Sequence, residues 1–255
     1  MHNSGNAVSV DPVQDRRQKV ALVIPVYNEE RIIGDLIDRI PREHVDVIIC
    51  VDDGSTDRSP QILAERDIEV VRHETKYYTG AAIRDGIHRA RELGMDVVVI
   101  MAGNGKDDPM QIPEVVAPVL NEGIDYVQGS RYLEGGNSSW KTLPRHRKFA
   151  TKLYPFLLKL VTGFPATEGT NGFRAYKLSI FDDPQIDIDQ SWLDENLEYY
   201  IGLRVLQCGY KVKEVPVRKI YPDTKKYSEY TKIRPGVGWL IRLKPLIYLS
   251  LGIRK

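Results

Sequence analysis

Val51-Asp52-Asp53-Gly54-Ser55-Thr56-Asp57 is a polar, glycine-bearing turn placed directly after the apolar run Val47 to Val51. A second turn of this kind, Met101-Ala102-Gly103-Asn104-Gly105-Lys106-Asp107-Asp108-Pro109, follows the apolar run Val97 to Met101. Short, unbroken apolar runs that end in turn residues are the pattern of strands buried on both faces of a parallel sheet. In an open α/β sheet, the turns at the carboxyl ends of such strands line the ligand crevice. The two turns therefore indicate both the fold class and the place where a ligand would lie.

Working outward, strand-like runs recur at Val20 to Val26, Val45 to Val51, Ile68 to Val71, Val97 to Met101 and Tyr126 to Gly129. Between them, Ile32, Ile33, Leu36, Ile37 and Ile40 form one apolar stripe, and Ile83, Ile87, Ala90 and Leu93 form another at helical spacing. Asn28 reads as the N-cap of the earlier helix, with Glu29 and Glu30 in its first turn. Strand alternating with helix predicts an α/β, Rossmann-like fold: a mostly parallel central sheet flanked by helices. Beyond Gly129 the pattern loosens into a Gly135–Ser139 loop, a basic helix from Arg145 to Leu160 and a turn-rich stretch from Thr167 to Gly172. A helix from Leu193 to Gln207 and a strand from Lys211 to Val217 follow. The expected organisation is a disordered lead-in over 1–18, one domain over 19–235, and an amphipathic basic tail over 236–255.

At 255 residues, with 42% hydrophobic and 28% charged residues, the chain is long enough for a sizeable core and ordinary for a globular protein. A net charge of +1 gives no global field of the kind that would recruit nucleic acid. Cys50 and Cys208 read as reduced core residues, which predicts a reducing compartment. The first eighteen residues lack the apolar core of a signal peptide. No segment reaches the roughly 18 uncharged apolar residues that span a bilayer, since Arg242, Lys244 and Pro245 interrupt the tail. The expectation is a cytoplasmic protein with peripheral contact at the cytoplasmic membrane face. The tail is predicted either to lie on that membrane or to pack on its own domain or a partner subunit.

Seven short motifs then occur in a fixed order: Pro25 to Glu29, Asp52 to Ser55, Gly80 to Gly86, Ala102 to Asn104, Gly129 to Tyr132, Asn171 to Arg174, and Glu214 to Pro216. Their order and spacing resemble family 2 glycosyltransferases of the GT-A fold, in the pattern of the branch that transfers sugars to dolichol or other polyprenyl phosphates. The resemblance covers Val20 to Pro235. It implies nucleotide-sugar binding by Pro25, Tyr27, Glu29, Asp52, Asp53, Arg84, Gly103 and Asn104. Asp52 and Asp53 are suited to base N–H groups and ribose hydroxyls, because a carboxylate only accepts; their plain alternative is a capped turn. Free N–H groups at the helix start after Tyr27 would suit nucleotide oxygens, with helix capping alone as the alternative. Gly80 and Ala81 would let their helix approach the nucleotide, and Arg84 would reach a phosphate or decorate a solvated face.

Where the family carries its Asp-x-Asp metal site, alignment on Asp108-Pro109 places Ala102 and Asn104, with Lys106 where a Gln is usual. Magnesium and manganese require hard oxygen ligands, and alanine offers none. The leading expectation is that Lys106 partly replaces the ion by offsetting diphosphate charge, so that no cofactor is needed. The alternatives are Mg2+ or Mn2+ held in a shifted register by Asp107, Asp108 or Asp53, or an inactive donor site. Asp107-Asp108-Pro109 also reads simply as the cap of the next helix.

For the acceptor side, the resemblance points to Arg131, whose planar fork suits phosphate, and to Arg145, Arg147, Lys225 and Lys226. Glu168 and Glu198 are the carboxylates proposed as catalytic, with Asp194 and Glu195 as alternatives; a phosphate acceptor, being ionised, would need no base. The function implied is transfer of a sugar from a nucleoside-diphosphate sugar, with inversion, to a polyprenyl phosphate or similar anionic acceptor. A soluble or glycan hydroxyl acceptor, and a non-catalytic nucleotide-sugar-binding protein, are the alternatives. A dinucleotide oxidoreductase is disfavoured, because no Gly-x-Gly-x-x-Gly follows the first strand.

Overall fold

Successive residues of β1 (Val20–Val26) enter two different cores: Val20, Leu22, Ile24 and Val26 one, Ala21 and Val23 the other. This is the period-two signature of a strand covered on both faces. The computed structural model describes residues 16–137, 145–220 and 237–254, with the backbone alone for 145–150 and 237–240. The remaining strands are β2 (Val47–Asp52), β3 (Glu69–Arg72), β4 (Val97–Ile100), β5 (Tyr126–Ser130), β6 (Arg174–Lys177) and β7 (Val212–Pro216). They form one seven-stranded sheet in the order β3-β2-β1-β4-β6-β5-β7. All described pairings are parallel except those of β6, which runs antiparallel to β4 and β5.

On one face, α1 (Ile33–Asp38), α2 (Ser59–Ala64) and α4 (Ile112–Asn121) contribute Ile33, Leu36, Ile37, Leu63, Ile112, Val115 and Val119 to the first core. On the other, α3 (Tyr78–Glu92) and α6 (Leu197–Gln207) bury Ala82, Ile83, Ile87, Leu197, Tyr200 and Ile201. Full burial of each large aliphatic side chain stabilises the fold by about 1.5–3 kcal/mol relative to exposure. The mostly parallel sheet flanked by helices is the expected fold class. The apolar runs predicted as strands coincide with β1 to β5 and β7, but β6 was not anticipated.

A third cluster joins α5 (Arg145–Thr162), α6 and α7 (Val237–Ser250) through Tyr154, Leu158, Tyr199, Leu203 and Leu246. The tail therefore packs on its own domain through Leu246, while Ile247 and Leu251 remain exposed. No helix among the described residues is long and apolar enough to cross a membrane. Cys50 is buried in β2, where burial pushes its thiol up to about 12. Cys208, by contrast, is only half-buried just beyond α6.

Candidate functional site

Reversal of strand order between β1 and β4 opens a crevice at their carboxyl ends. The turns after β1 and β2 meet there and are stitched together. Ser55 Oγ accepts the N–H of Asn28 at 3.0 Å, Ser59 Oγ that of Glu29 at 2.9 Å, and Asp57 Oδ2 that of Glu30 at 3.0 Å. Asn28 returns the contact, its Oδ1 accepting the Thr56 N–H at 2.8 Å from a backbone at φ 53°. Two expectations are corrected by this. Asn28 does not cap α1, which starts later without a side-chain cap, and the N–H groups of residues 28–30 are already used by the neighbouring turn. Pro25 and Tyr27 flank the crevice on β1 and its turn, and Lys76 Nζ lies 3.8 Å from the centroid of the Tyr27 ring.

Asp52 and Asp53 divide their work. Asp52 is fully buried; its Oδ1 accepts the Ser55 N–H at 3.0 Å, and its Oδ2 has no hydrogen-bond partner among the described residues, with Arg72 Nε at 3.6 Å. Asp53 Oδ1 accepts the Tyr77 N–H at 2.7 Å and faces His73 Nδ1 at 2.9 Å. The other ring nitrogen of His73 lies 2.8 Å from Asp85 Oδ2 on α3. A carboxylate only accepts, so both contacts are hydrogen bonds only in a ring carrying hydrogen on both nitrogens. Sequence reasoning assigned His73 no role; its position one residue past β3, at the crevice edge of the sheet, is the signal that could have found it.

Gly80, in the first turn of the helix that follows, packs against residues 193–194. A Cβ at Gly80 would lie 2.4 Å from the carbonyl oxygen of Leu193, and the Gly80 N–H donates to the Asp194 carbonyl at 2.6 Å. The missing side chain is needed for contact with the turn before α6. Arg84, expected either on a phosphate or on a solvated face, is mostly buried and donates to Asp194 Oδ1 at 2.8 Å across the same junction.

After β4 the loop closes on itself. The Gly103 N–H donates to the Pro25 carbonyl at 3.3 Å, and Asn104 Oδ1 accepts the Lys106 N–H at 3.1 Å. Asp108 Oδ1 accepts the Met110 N–H at 3.2 Å, the capping contact read from the sequence. Asp107 is fully buried and ion-paired with Lys219, beyond β7, while the Ile220 N–H donates to the Lys106 carbonyl at 2.7 Å. Ala102 has no ligating side-chain atom, Asn104 is engaged in the turn, and Asp107 is neutralised by a cation. Among the described residues no group of three or more His, Cys, Asp or Glu side chains is placed to hold a metal. The Asp-x-Asp positions therefore offer no carboxylate to a divalent ion, and the shifted register is left with Asp108 and Asp53.

On the far side of the crevice, antiparallel β6 brings the turn before it, residues 167–173, to the same edge as the end of β5. Glu168 and Arg131 are both buried there and bound to each other, Arg131 Nε donating to Glu168 Oε2 at 2.8 Å, with Thr170 Oγ1 donating to Glu168 Oε1 at 2.7 Å. Burial pushes the Glu168 carboxyl up, but the Arg131 guanidinium and these hydrogen bonds outweigh it and hold the group below the usual range. Glu168, expected as a base, and Arg131, expected on the acceptor, are thus each other's partners. Glu214 on β7 accepts the Thr167 and Glu168 N–H groups at 2.9 Å each, and burial raises its carboxyl against those donors.

Arg174, fully buried, donates to the carbonyls of Asn171 (2.8 Å), Gly169 (3.0 Å) and Glu198, and so fixes the turn. Glu198 lies beside that turn, its Oε1 2.8 Å from where a Cβ on Gly172 would be. Arg145 and Arg147 start α5, and Lys225 and Lys226 lie outside the described residues.

The model of glycosyl transferase family 2 matches residues 21–183 of this chain. Among similar proteins, the UDP-N-acetylglucosamine–dolichyl-phosphate N-acetylglucosaminyltransferase of Methanococcus voltae is 30% identical over 250 residues, covering 91% of this chain and 96% of that protein. Polyprenol monophosphomannose synthase of Mycolicibacterium smegmatis is 30% identical over 222 residues, covering 81% of this chain and 80% of that protein. Among solved structures, glucosyl-3-phosphoglycerate synthase from Mycobacterium tuberculosis, in complex with Mn2+, UDP and phosphoglyceric acid, superposes with a TM-score of 0.66 at 20% identity. That superposition covers 93% of this chain and 80% of the other and shares the GT-A fold. The chain belongs to glycosyl transferase family 2.

Proposed function

We propose that this member of glycosyl transferase family 2 moves a sugar from a nucleoside-diphosphate donor to a polyprenyl phosphate or a similar anionic acceptor, with inversion at the anomeric carbon. The observation that carries the donor half is Asp53. Both of its described hydrogen bonds fall on Oδ1, leaving Oδ2 as an acceptor at the crevice between β1, β2 and β4. The acceptor half is supported by relatives named for dolichyl and polyprenyl phosphates, which this chain matches over most of its length.

In this reading Asp52 and Asp53 take the base and ribose, beside Pro25, Tyr27 and Glu29, and the Gly103–Lys106 loop faces the diphosphate. The acceptor phosphate oxygen attacks the anomeric carbon from the side opposite the leaving group. The new carbon–oxygen bond forms as the bond to the diphosphate breaks, and the electron pair leaves with the nucleoside diphosphate. An ionised phosphate brings its own nucleophile, so the pairing of Glu168 with Arg131 is no obstacle: together they position the 167–173 turn. Lys106 offsets charge on the departing diphosphate, and no step is assigned to a metal. The amino end of α5, with Arg145 and Arg147, and the segment carrying Lys225 and Lys226 receive the acceptor's anionic end.

The test is transfer from a panel of labelled nucleotide sugars to undecaprenyl and dolichyl phosphate by the purified chain. Formation of a lipid-linked sugar with inverted configuration is expected. Transfer to a glycan hydroxyl alone, abolished by Glu198→Gln, would replace the acceptor assignment. Nucleotide binding with no sugar loss to any acceptor would leave a binding protein.

A further inference from the structure

Asp53, His73 and Asp85 form a linear chain of side chains from three separate elements: the turn after β2, the end of β3, and α3. His73 is 7% exposed and Asp53 3%. The ring is held on every side. The backbone N–H of His73 donates to the Asp52 carbonyl at 2.9 Å, the Tyr77 ring meets the imidazole edge-on at 5.2 Å, and the carboxylates of Asp53 and Asp85 cap its two nitrogens. A buried, doubly bonded imidazole is costly to leave unpaired, so the arrangement fixes the rotamers of all its members.

The division of contacts on Asp53 gives this chain a direction. Tyr77 N–H and His73 Nδ1 both engage Oδ1. The carboxylate plane is thereby set, and Oδ2 is the oxygen left for a ligand donor. We infer that His73, backed by Asp85, is a positioning residue for nucleotide recognition: it holds Asp53 so that Oδ2 accepts from the base or ribose. The inference rests on the donor site proposed above and adds a residue that does not itself touch the ligand. Without His73, the Tyr77 N–H alone holds Oδ1 and the Asp53 side chain regains rotamer freedom, which weakens binding without removing the acceptor.

Asparagine and glutamine separate positioning from mere support. Asparagine places its amide nitrogen near the position of His Nδ1 and can still donate to Asp53. Glutamine reaches the position of Nε2 and keeps the tie to Asp85 on α3 instead. The experiment is calorimetric titration of UDP, GDP, CDP, dTDP and ADP into wild type, His73→Leu, His73→Asn, His73→Gln and Asp85→Ala, with the melting temperature of each. For the nucleotide that wild type binds, His73→Leu and His73→Gln are expected to weaken affinity about tenfold or more. His73→Asn should restore it to within about threefold, and Asp85→Ala should weaken it about threefold.

Affinity in His73→Leu equal to wild type would overturn the inference. So would losses that follow melting temperature alone, with glutamine rescuing better than asparagine. If His73→Leu does not fold, Asp85→Ala decides, since Asp85 is partly exposed on α3 and its loss leaves the core filled. Failure of wild type to bind any of the nucleotides would instead overturn the donor-site reading, and the inference with it.

Discussion

Lys219, just past the end of β7, pairs with the fully buried carboxylate of Asp107 on the loop after β4, although β6 and β5 lie between those two strands in the sheet. The segment from Arg218 to Ile220 therefore runs across the carboxyl edge of the sheet. It is tied there by the Arg218 N–H to Gln111 Oε1 at 2.7 Å and the Lys219 N–H to Asn137 Oδ1 at 2.7 Å. Removing one member of a buried pair strands the other charge. Lys219→Ala is expected to cost about 3–5 kcal/mol in denaturant unfolding, and Asp107→Asn combined with Lys219→Met should recover most of it. A loss under ~1 kcal/mol for Lys219→Ala would show that water replaces the lysine.

Lys106 lies on the loop that this strap braces. Nucleoside diphosphate binding is expected to persist in chelator and to weaken about tenfold in Lys106→Ala, since one nearby cation in a partly dry site is worth on the order of 1–2 kcal/mol to an anion. Binding that requires magnesium or manganese and is indifferent to Lys106 would return the role to a metal.

Tyr78 starts α3 at φ 71°, a region in which a side chain is strained. Its ring is about half exposed, so packing contributes little to offset the strain. Tyr78→Gly should raise stability by roughly 0.5–1 kcal/mol, relief of strain outweighing the added freedom of the unfolded chain. Equal or lower stability in urea titrations would show that the aromatic contact with Lys76, whose Nζ is 5.5 Å from the ring centroid, compensates.

Glu168 and Glu214 impose opposite pH dependences. Glu168 is held below its unfolded value, so the stability it contributes is present above the ordinary glutamate range, roughly pH 4.3, and lost as pH falls through its folded value. Glu214 is held above its unfolded value. Its contribution is fully present below that range and is lost as pH rises through its folded value. Melting temperature plotted against pH on the acid side should therefore flatten in Glu168→Gln and steepen in Glu214→Gln, relative to wild type. The same change of slope in both variants would contradict the assignment.

The centre of the parallel sheet was legible because β1, β4 and all but the last residue of β2 are unbroken apolar runs such as Val97-Val98-Val99-Ile100. β6 was not, because Arg174-Ala175-Tyr176-Lys177 carries two cations in four residues. Only the structure reveals that Arg174 is satisfied by three backbone carbonyls. The contacts that sequence reasoning missed at the candidate site have one physical origin. Asn28 and Gly80 were interpreted through the helices nearest to them in sequence, yet their partners, Thr56 and the Leu193–Asp194 turn, are supplied from elsewhere in the chain. Local pattern identifies a turn but not what lies against it. Asp53 was singled out from its own turn and its partner His73 was not, for the same reason.

The reversed strand β6 also governs how the chain can be cut. Within the sheet it is the only described strand that joins the block formed by β3, β2, β1 and β4 to the block formed by β5 and β7. During synthesis, everything up to β5 precedes it, so β4 and β5 each wait with an unpaired, apolar edge until residues 174–177 arrive between them. Open edges of this kind are templates for intermolecular pairing. A fragment ending before Arg174, even with β1 to β5 intact, is therefore a candidate for aggregation rather than a minimal folded module.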